Sequence, residues 1–255
     1  MKHYLFTFLI ISFTLFSCSS DSEDTLEPVS IKIHFSNVWD DYPITKEDFG
    51  IIKYKDKNND DLSIKKLRYL ISDINLTHQS GFVVSLKDYQ LIDLDDENSL
   101  IFTTSKSIPP GNYEKITFRF GFSNDDNIDG DYPDLNIANF NVPELLGGGY
   151  HYMQLDGDYL DVNQESAPYN YHVIPAYDTA TETKQDTSFS LDIGNAEIND
   201  NTNIYIKTDI SQWFENPNTW NLNDLNTNLM SNYDAQIIMN QNGRSGVFNL
   251  DNISQ

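Results

Sequence analysis

The chain has 255 residues and carries 39 acidic against 16 basic side chains, a formal net charge of −23 at pH 7. That excess excludes a nucleic-acid binder, because phosphate affinity needs clustered Lys and Arg. Aromatics at 13%, with 15 Tyr and 15 Phe, exclude an acidic disordered chain, and a single Cys excludes an internal disulfide or a cysteine-cluster metal site.

Residues 1–18 read MKHYLFTFLIISFTLFSC. Lys2 supplies a short positive region, and residues 4–16 form an apolar run of signal-peptide length, too short for a membrane span. Leu15-Phe16-Ser17-Cys18 resembles a bacterial lipobox. That pattern implies diacylglycerol on the Cys18 thiol and cleavage before Cys18. The lipid chains would hold the protein on a membrane without a spanning helix, each buried CH₂ contributing roughly 0.8 kcal/mol. Residues 19–30 are expected to form an acidic tether. Their start, Ser19-Ser20-Asp21-Ser22-Glu23-Asp24, is similar to the surface-export signal of Bacteroidota lipoproteins. The expected location is the outer membrane, surface-exposed or else facing the periplasm.

Residues 31–38 (IKIHFSNV) alternate Ile31, Ile33 and Phe35 with Lys32, His34 and Ser36, a period of two that predicts a half-buried strand. Asp56-Lys57-Asn58-Asn59-Asp60-Asp61 predicts a turn. Residues 62–76, rich in Ile and Tyr before the Gln79-Ser80-Gly81 turn, predict a long strand. Residues 82–86, 89–94 and 100–104 predict short ones. After the turn at Pro109-Pro110-Gly111-Asn112, residues 116–122 (ITFRFGF) place Ile116, Phe118, Phe120 and Phe122 on one face. Four further strands are expected at 150–155, 169–174, 187–193 and 203–210. Ser211 is placed to cap a helical turn through Trp213 and Phe214. The spacing of Leu222, Leu225, Leu229, Met230 and Ile237 allows a helix within 222–239, against the many Asn residues there. A last strand is expected at 247–250. With no long linker after Leu26 and no repeat, residues 31–255 read as one all-β domain, a single β-sandwich with long loops and one or two short helices.

The chemistry-bearing residues are few. Asp125-Asp126-Asn127-Ile128-Asp129-Gly130-Asp131 fits D-x-N-x-D-G, which makes Asp125, Asn127, Asp129 and Asp131 candidate oxygen ligands for calcium. The twelfth loop position is Asn136 rather than a closing Glu, and the alternative is a polar turn held by Asx hydrogen bonds. With no G-x-S-x-G, H-E-x-x-H or phosphate loop, the chain reads as non-enzymatic. Trp39, Trp213 and Trp220 are candidates for stacking on sugar rings, or else anchors of core and loops; a glycan-binding module predicts them on one exposed patch. A soft metal would need imidazole or Met sulfur, since no usable thiolate remains. His34 sits on the polar face of its strand and His78 precedes a turn, leaving His151 and His172 as the stronger candidates. On a strand at 150–155, His151 shares a face with Met153.

Several segments in order resemble the MbnP-like copper-binding domain family, the methanobactin-associated partner proteins and their lipoprotein relatives. Residues 64–76 (IKKLRYLISDINL) are similar to the family's "lrYyiSnirL", and Tyr89-Gln90-Leu91-Ile92-Asp93 to "y.Lid". Residues 108–113 (IPPGNY) are similar to "ipaGnY", and 116–122 to "i.f.iGv". Residues 149–157 (GYHYMQLDG) resemble "GYkf.klEG", 169–173 (YNYHV) resemble "f.yHiG", and 240–248 resemble the closing "N..gvF". The resemblance spans about 31 to 250. It implies a lipid-anchored β-sandwich that binds or handles copper at the cell envelope, with His172 on the family's histidine-bearing strand, His151 opposite and Met153 as a soft addition. An envelope protein is the implied partner besides the membrane. One departure bears on the site. The family's "MYWtWnsGY" is replaced by Val142-Pro143-Glu144-Leu145-Leu146-Gly147-Gly148 before Gly149-Tyr150, so both tryptophans are missing. A kynurenine-containing copper site, associated with relatives that carry them, is not expected. The alternative is a surface module for glycan or protein that has lost the metal site.

Overall fold

A computed structural model describes residues 27–104 and 108–255; the expected leader, Cys18 and most of the tether lie outside them. Sixteen strands and three short α-helices follow in chain order. The strands are β1 (Lys32–Trp39), β2 (Tyr42–Pro43), β3 (Tyr54–Lys55), β4 (Asp61–Leu62), β5 (Lys66–His78), β6 (Val83–Asp93), β7 (Ile101–Thr103) and β8 (Gly111–Phe120), then β9 (Met153–Leu160), β10 (Ser166–Val173), β11 (Ala176–Asp178), β12 (Thr183–Gln185), β13 (Phe189–Asp192), β14 (Ala196–Ile198), β15 (Asn203–Asp209) and β16 (Phe248–Ser254). The helices are α1 (Pro133–Ile137), α2 (Gln212–Glu215) and α3 (Tyr233–Gly243).

The strands form a five-stranded and a nine-stranded sheet, with β11 and β12 as a separate hairpin. The smaller sheet runs β16-β15-β1-β2, with β7 also on β1; β1 and β15 are parallel, which closes the two ends of the domain against each other. The larger sheet is built on β5, whose period-two pattern buries Leu67, Tyr69, Ile71 on one face and Leu70, Ile74, Leu76 further along. The two sheets meet face to face. Tyr69 of β5 hydrogen-bonds Thr208 of β15 at 3.0 Å, and Phe248 of β16 packs edge-on to Tyr69 and Phe118 at 5.8 and 5.4 Å. The molecule is therefore the all-β, sandwich-like domain expected, with a core of aromatic rings between sheets.

One irregularity of the large sheet positions the candidate site. A single edge of β5 pairs with β9 over Lys66–Tyr69 and with β8 from Ile71 onward. The chain leaves β8 at Phe120, wanders through residues 121–152, and returns beside the same edge as β9. At the junction Gly121 N donates to Leu70 O and Leu70 N donates to Tyr152 O, both at 2.8 Å. Gly121 has φ +78°, and a Cβ there would lie 2.4 Å from the Tyr152 ring, so only glycine lets the excursion leave and return at one point.

Differences from the sequence reading are local. The two strands expected at 82–86 and 89–94 are one strand, β6 (Val83–Asp93), with an irregularity opposite Ile74 and Asn75 that accommodates the extra length. The helix expected in 222–239 starts only at Tyr233; before it the chain is held open by side chains. Asp60 accepts from Leu222 N and Asn223 Nδ2, and Trp220 Nε1 donates to Leu225 O. Trp39, Trp213 and Trp220 are all at most 3% exposed. Their reading as sugar-stacking residues is corrected: all three are core anchors.

Candidate metal centre

His151 stands at the return corner, one residue before the Tyr152 junction. Its backbone N–H donates to Phe140 O, and its ring Nδ1 lies 2.9 Å from the same carbonyl. A carbonyl only accepts, so Nδ1 carries the proton and the neutral ring leaves Nε2 bare. Burial is the main force on this ring: it lowers the pKa to about 4, opposed by the Phe140 hydrogen bond and aided by the charges of His172 and Arg68. The imidazole is thus neutral at physiological pH. Its Nε2 faces Met230 Sδ at 3.2 Å.

His172 lies near the end of β10, half-buried, in register with Gln154 of β9. Its Nε2 sits 2.8 Å from Asp156 Oδ1, which also accepts from Asn170 Nδ2 at 2.7 Å. Burial pushes the Asp156 carboxyl up, but the hydrogen bonds from His172 and Asn170 and the charge of Lys66 outweigh it and bring it to about 2. An ionised carboxylate also only accepts, so His172 donates its Nε2–H to Asp156. The His151 and His172 rings meet edge to face with centroids 5.2 Å apart. Each imidazole therefore has one N–H fixed by an oxygen acceptor, the outer-shell arrangement that orients metal-ligating histidines.

Met230 comes from a 3-10 turn, Leu229–Ser231, just ahead of α3. Gln236 of α3 ties this turn to β10. Its Nε2 donates to both His172 O and Leu229 O, and its Oε1 accepts from Ile174 N, all within 3.0 Å. Asn232 caps α3 by accepting from Ala235 N, which sets the helix start and hence the place of Gln236.

Two of the expected ligands are thus brought together, His151 and His172. Met153 is not with them. It opens β9, is fully buried, and packs in the hydrophobic core; the sulfur beside His151 is that of Met230. The alternation expected from Tyr150 onward fails because residues 151–152 are bonded to Phe140 and Val173 before strand pairing of β9 begins. Nothing local marks Met230 in the sequence, where it counts as one apolar position of an unformed helix. His34 is bound to Asn203 and stacked on Tyr205, and His78 is bound to Ser80 and stacked on Phe82; neither lies near the pair.

In the aspartate loop the clearest structural role falls to Asn127. Asn127 is buried, and its amide clasps the backbone of Tyr150: Oδ1 accepts from Tyr150 N at 2.7 Å and Nδ2 donates to Tyr150 O at 3.3 Å. Asp129 accepts from Asn141, while Asp125 and Asp131 are exposed. Among the described residues no group of three or more His, Cys, Asp or Glu side chains is gathered to hold a metal. Of the expected Asp125, Asn127, Asp129, Asp131 set, Asn127 braces the His151 corner, while the three aspartates stand at exposed positions. At this corner the fold brings together two imidazoles and a thioether, His151, His172 and Met230.

Fold and cluster together define an all-β sandwich-like domain with a soft-donor corner between a long excursion and an added helix. The chain belongs to the MbnP family, whose model matches residues 28–231. In structure it is similar to MbnP from Methylosinus trichosporium, with 12% sequence identity, a TM-score of 0.56, and coverage of 88% of this chain and 98% of that one. No curated protein sequence matches the chain significantly.

Proposed function

We propose that this protein binds copper at the cell envelope, non-enzymatically, through His151 and His172. The observation that carries the reading is the outer-shell anchoring of two adjoining rings: Phe140 O and Asp156 Oδ1 each take one ring N–H, which leaves the second nitrogen of each imidazole for the ligating role. The donor set suits copper, since imidazole and thioether are present and thiolate is absent. The name of the family is in keeping with this chemistry, while the missing tryptophan pair argues for a simpler centre than one containing kynurenine. Copper, when bound, would supply a redox-active or transferable soft cation; the protein's part is to hold oriented imidazole nitrogens for it.

The lipobox at Cys18 supports attachment to a membrane by lipid, with the acidic tether favouring the outer membrane. No helix of the described residues is long and apolar enough to cross a membrane. The test of function is a copper titration of the protein against a competing chelator, with His151→Ala and His172→Ala beside it. One-to-one binding lost in both variants is the expected result. Binding indifferent to both substitutions overturns the reading. Replacement of Cys18 by Ala is expected to move the protein from the membrane fraction to the soluble one.

A further inference from the structure

The contact between His151 and Met230 has no ordinary explanation. With Nδ1–H given to Phe140 O, the neutral ring presents an unshared pair at Nε2, and a thioether has no proton to offer. Two acceptors thus stand 3.2 Å apart with no hydrogen between them. Both sides of the contact are held in place. Phe140 fixes the ring, and Gln236 fixes the backbone of Leu229, the residue before Met230, to the same helix that grips His172.

We infer that Met230 is a thioether ligand that completes the His151–His172 centre and biases it toward monovalent over divalent copper. The inference rests on the two-histidine reading above and adds to it an oxidation-state preference. Softness is the first reason: thioether sulfur favours Cu(I), whereas imidazole serves both states. Charge is the second. His151, His172 and Met230 are all uncharged donors in the bound form, and the Arg68 guanidinium lies close by, stacked over Phe140 at 5.2 Å while Phe140 packs on His151 at 5.6 Å. A fixed positive charge repels a doubly charged ion about twice as strongly as a singly charged one at the same place. Asp156 offsets part of that field, and Lys66 in turn partly neutralises Asp156. Burial is the third: His151 is 4% exposed and Met230 half-buried, so the ion must shed water, which is easier for the monovalent state.

The experiment measures Cu(I) affinity anaerobically against bicinchoninate and Cu(II) affinity against nitrilotriacetate. It compares the wild-type protein with Met230→Leu, His151→Ala and His172→Ala, using circular dichroism to check folding. Leucine nearly conserves the volume of methionine, so the fold is expected to hold. The expected result is a loss of roughly tenfold or more in Cu(I) affinity for Met230→Leu, with Cu(II) affinity changed by less than about threefold. X-ray absorption of the Cu(I) protein should show a sulfur neighbour that disappears in the same variant. Unchanged Cu(I) affinity in Met230→Leu, with binding abolished in the histidine variants, overturns the inference and leaves the two-histidine centre standing. Wild-type affinity in all three variants overturns both. If Met230→Leu unfolds, the absorption spectrum of the wild-type protein decides alone: no sulfur neighbour overturns the inference.

Discussion

The side-chain amide of Gln236 donates to the backbone carbonyl of His172 at 2.9 Å, although the two residues lie 64 positions apart. The same nitrogen reaches Leu229 O and the amide oxygen accepts from Ile174 N, so one fully buried side chain pins helix α3, the Met230 turn and the end of β10 together. Gln236→Leu keeps the bulk and removes all three bonds; Leu229 O keeps its bond from Asn232 N, but His172 O and Ile174 N are stranded. Each stranded group costs about 1–3 kcal/mol, so a total loss of at least about 2 kcal/mol is expected in urea unfolding. Copper affinity should fall in the same variant, because the turn and the histidine strand lose their common tie.

His151 should titrate far from an ordinary histidine. Burial lowers its pKa to about 4, against about 6.5 in the unfolded chain. The native state therefore binds fewer protons between these values. Its contribution to stability is fully present above about pH 6.5 and is lost as the pH falls through about 4. Nitrogen-15 NMR of the ring is expected to show a protonated Nδ1 and a bare Nε2 at pH 7, unchanged at pH 5.5. A ring found as imidazolium at pH 5.5, or with the proton on Nε2, would contradict the tautomer on which the centre depends.

Asp56 should show the opposite sign. Its Oδ1 accepts from Asp60 N, but its Oδ2 is buried without a partner. Burial, with the charges of Asp60 and Glu215 adding, raises its pKa to about 6. A raised carboxyl contributes stability that is fully present below about pH 3.9 and lost as the pH climbs through about 6. Urea unfolding of wild type and Asp56→Asn at pH 4.5 and 7.5 isolates this group, since the other titrations cancel in the comparison. Relative to wild type, the variant is expected to gain on the order of 2 kcal/mol between the lower and the higher pH, whatever fixed cost the amide brings.

How much of this was legible in the sequence follows from the range of each signal. The period-two stretches of β1, β5 and β8 are local, and their strands lie where Ile31, Ile33, Phe35 and Ile116, Phe118, Phe120 predict them. His151 and His172 were legible as candidates from the residues and from the resemblance, but their meeting was not, because it depends on β9 and β10 lying side by side. Met230 was not legible at all. Its partner lies 79 residues earlier, and the turn that carries it is held by Gln236 rather than by any propensity of its own. Met153 was misplaced for a related reason: hydrogen bonds from the excursion set the first residue of β9, and strand periodicity cannot be counted from Tyr150 across that corner.

Gly121 is expected to be among the least replaceable residues. An alanine there would take up a left-handed φ and press on the Tyr152 ring at the point where β8 gives way to β9. Strain and overpacking together should cost about 3 kcal/mol. Because Tyr152 follows His151, the variant should also weaken copper binding at temperatures where it remains folded. Gly130→Ala is the control: it shares a positive φ but has open space around it, so only the smaller backbone penalty is expected.

The aspartate loop gives the last test, because its cation-binding and bracing readings predict different residues to matter. As a brace, the loop acts through Asn127, whose amide clasps Tyr150 N and Tyr150 O just before His151. Gly149 makes this possible: a Cβ there would lie 2.7 Å from Asn127 Oδ1 and from Asn127 O. Asn127→Ala is therefore expected to destabilise the protein by about 2 kcal/mol and to lower copper affinity by loosening the corner. Asp125→Asn and Asp131→Asn, both at exposed positions, should change stability by no more than about 0.5 kcal/mol. Millimolar calcium should leave the unfolding midpoint of the wild type and of all three variants where it was. A calcium-dependent rise in the wild type that vanishes in Asp125→Asn and Asp131→Asn would restore the loop as a cation site. A loss confined to Asn127→Ala would establish that its asparagine, rather than its charges, is what the fold uses.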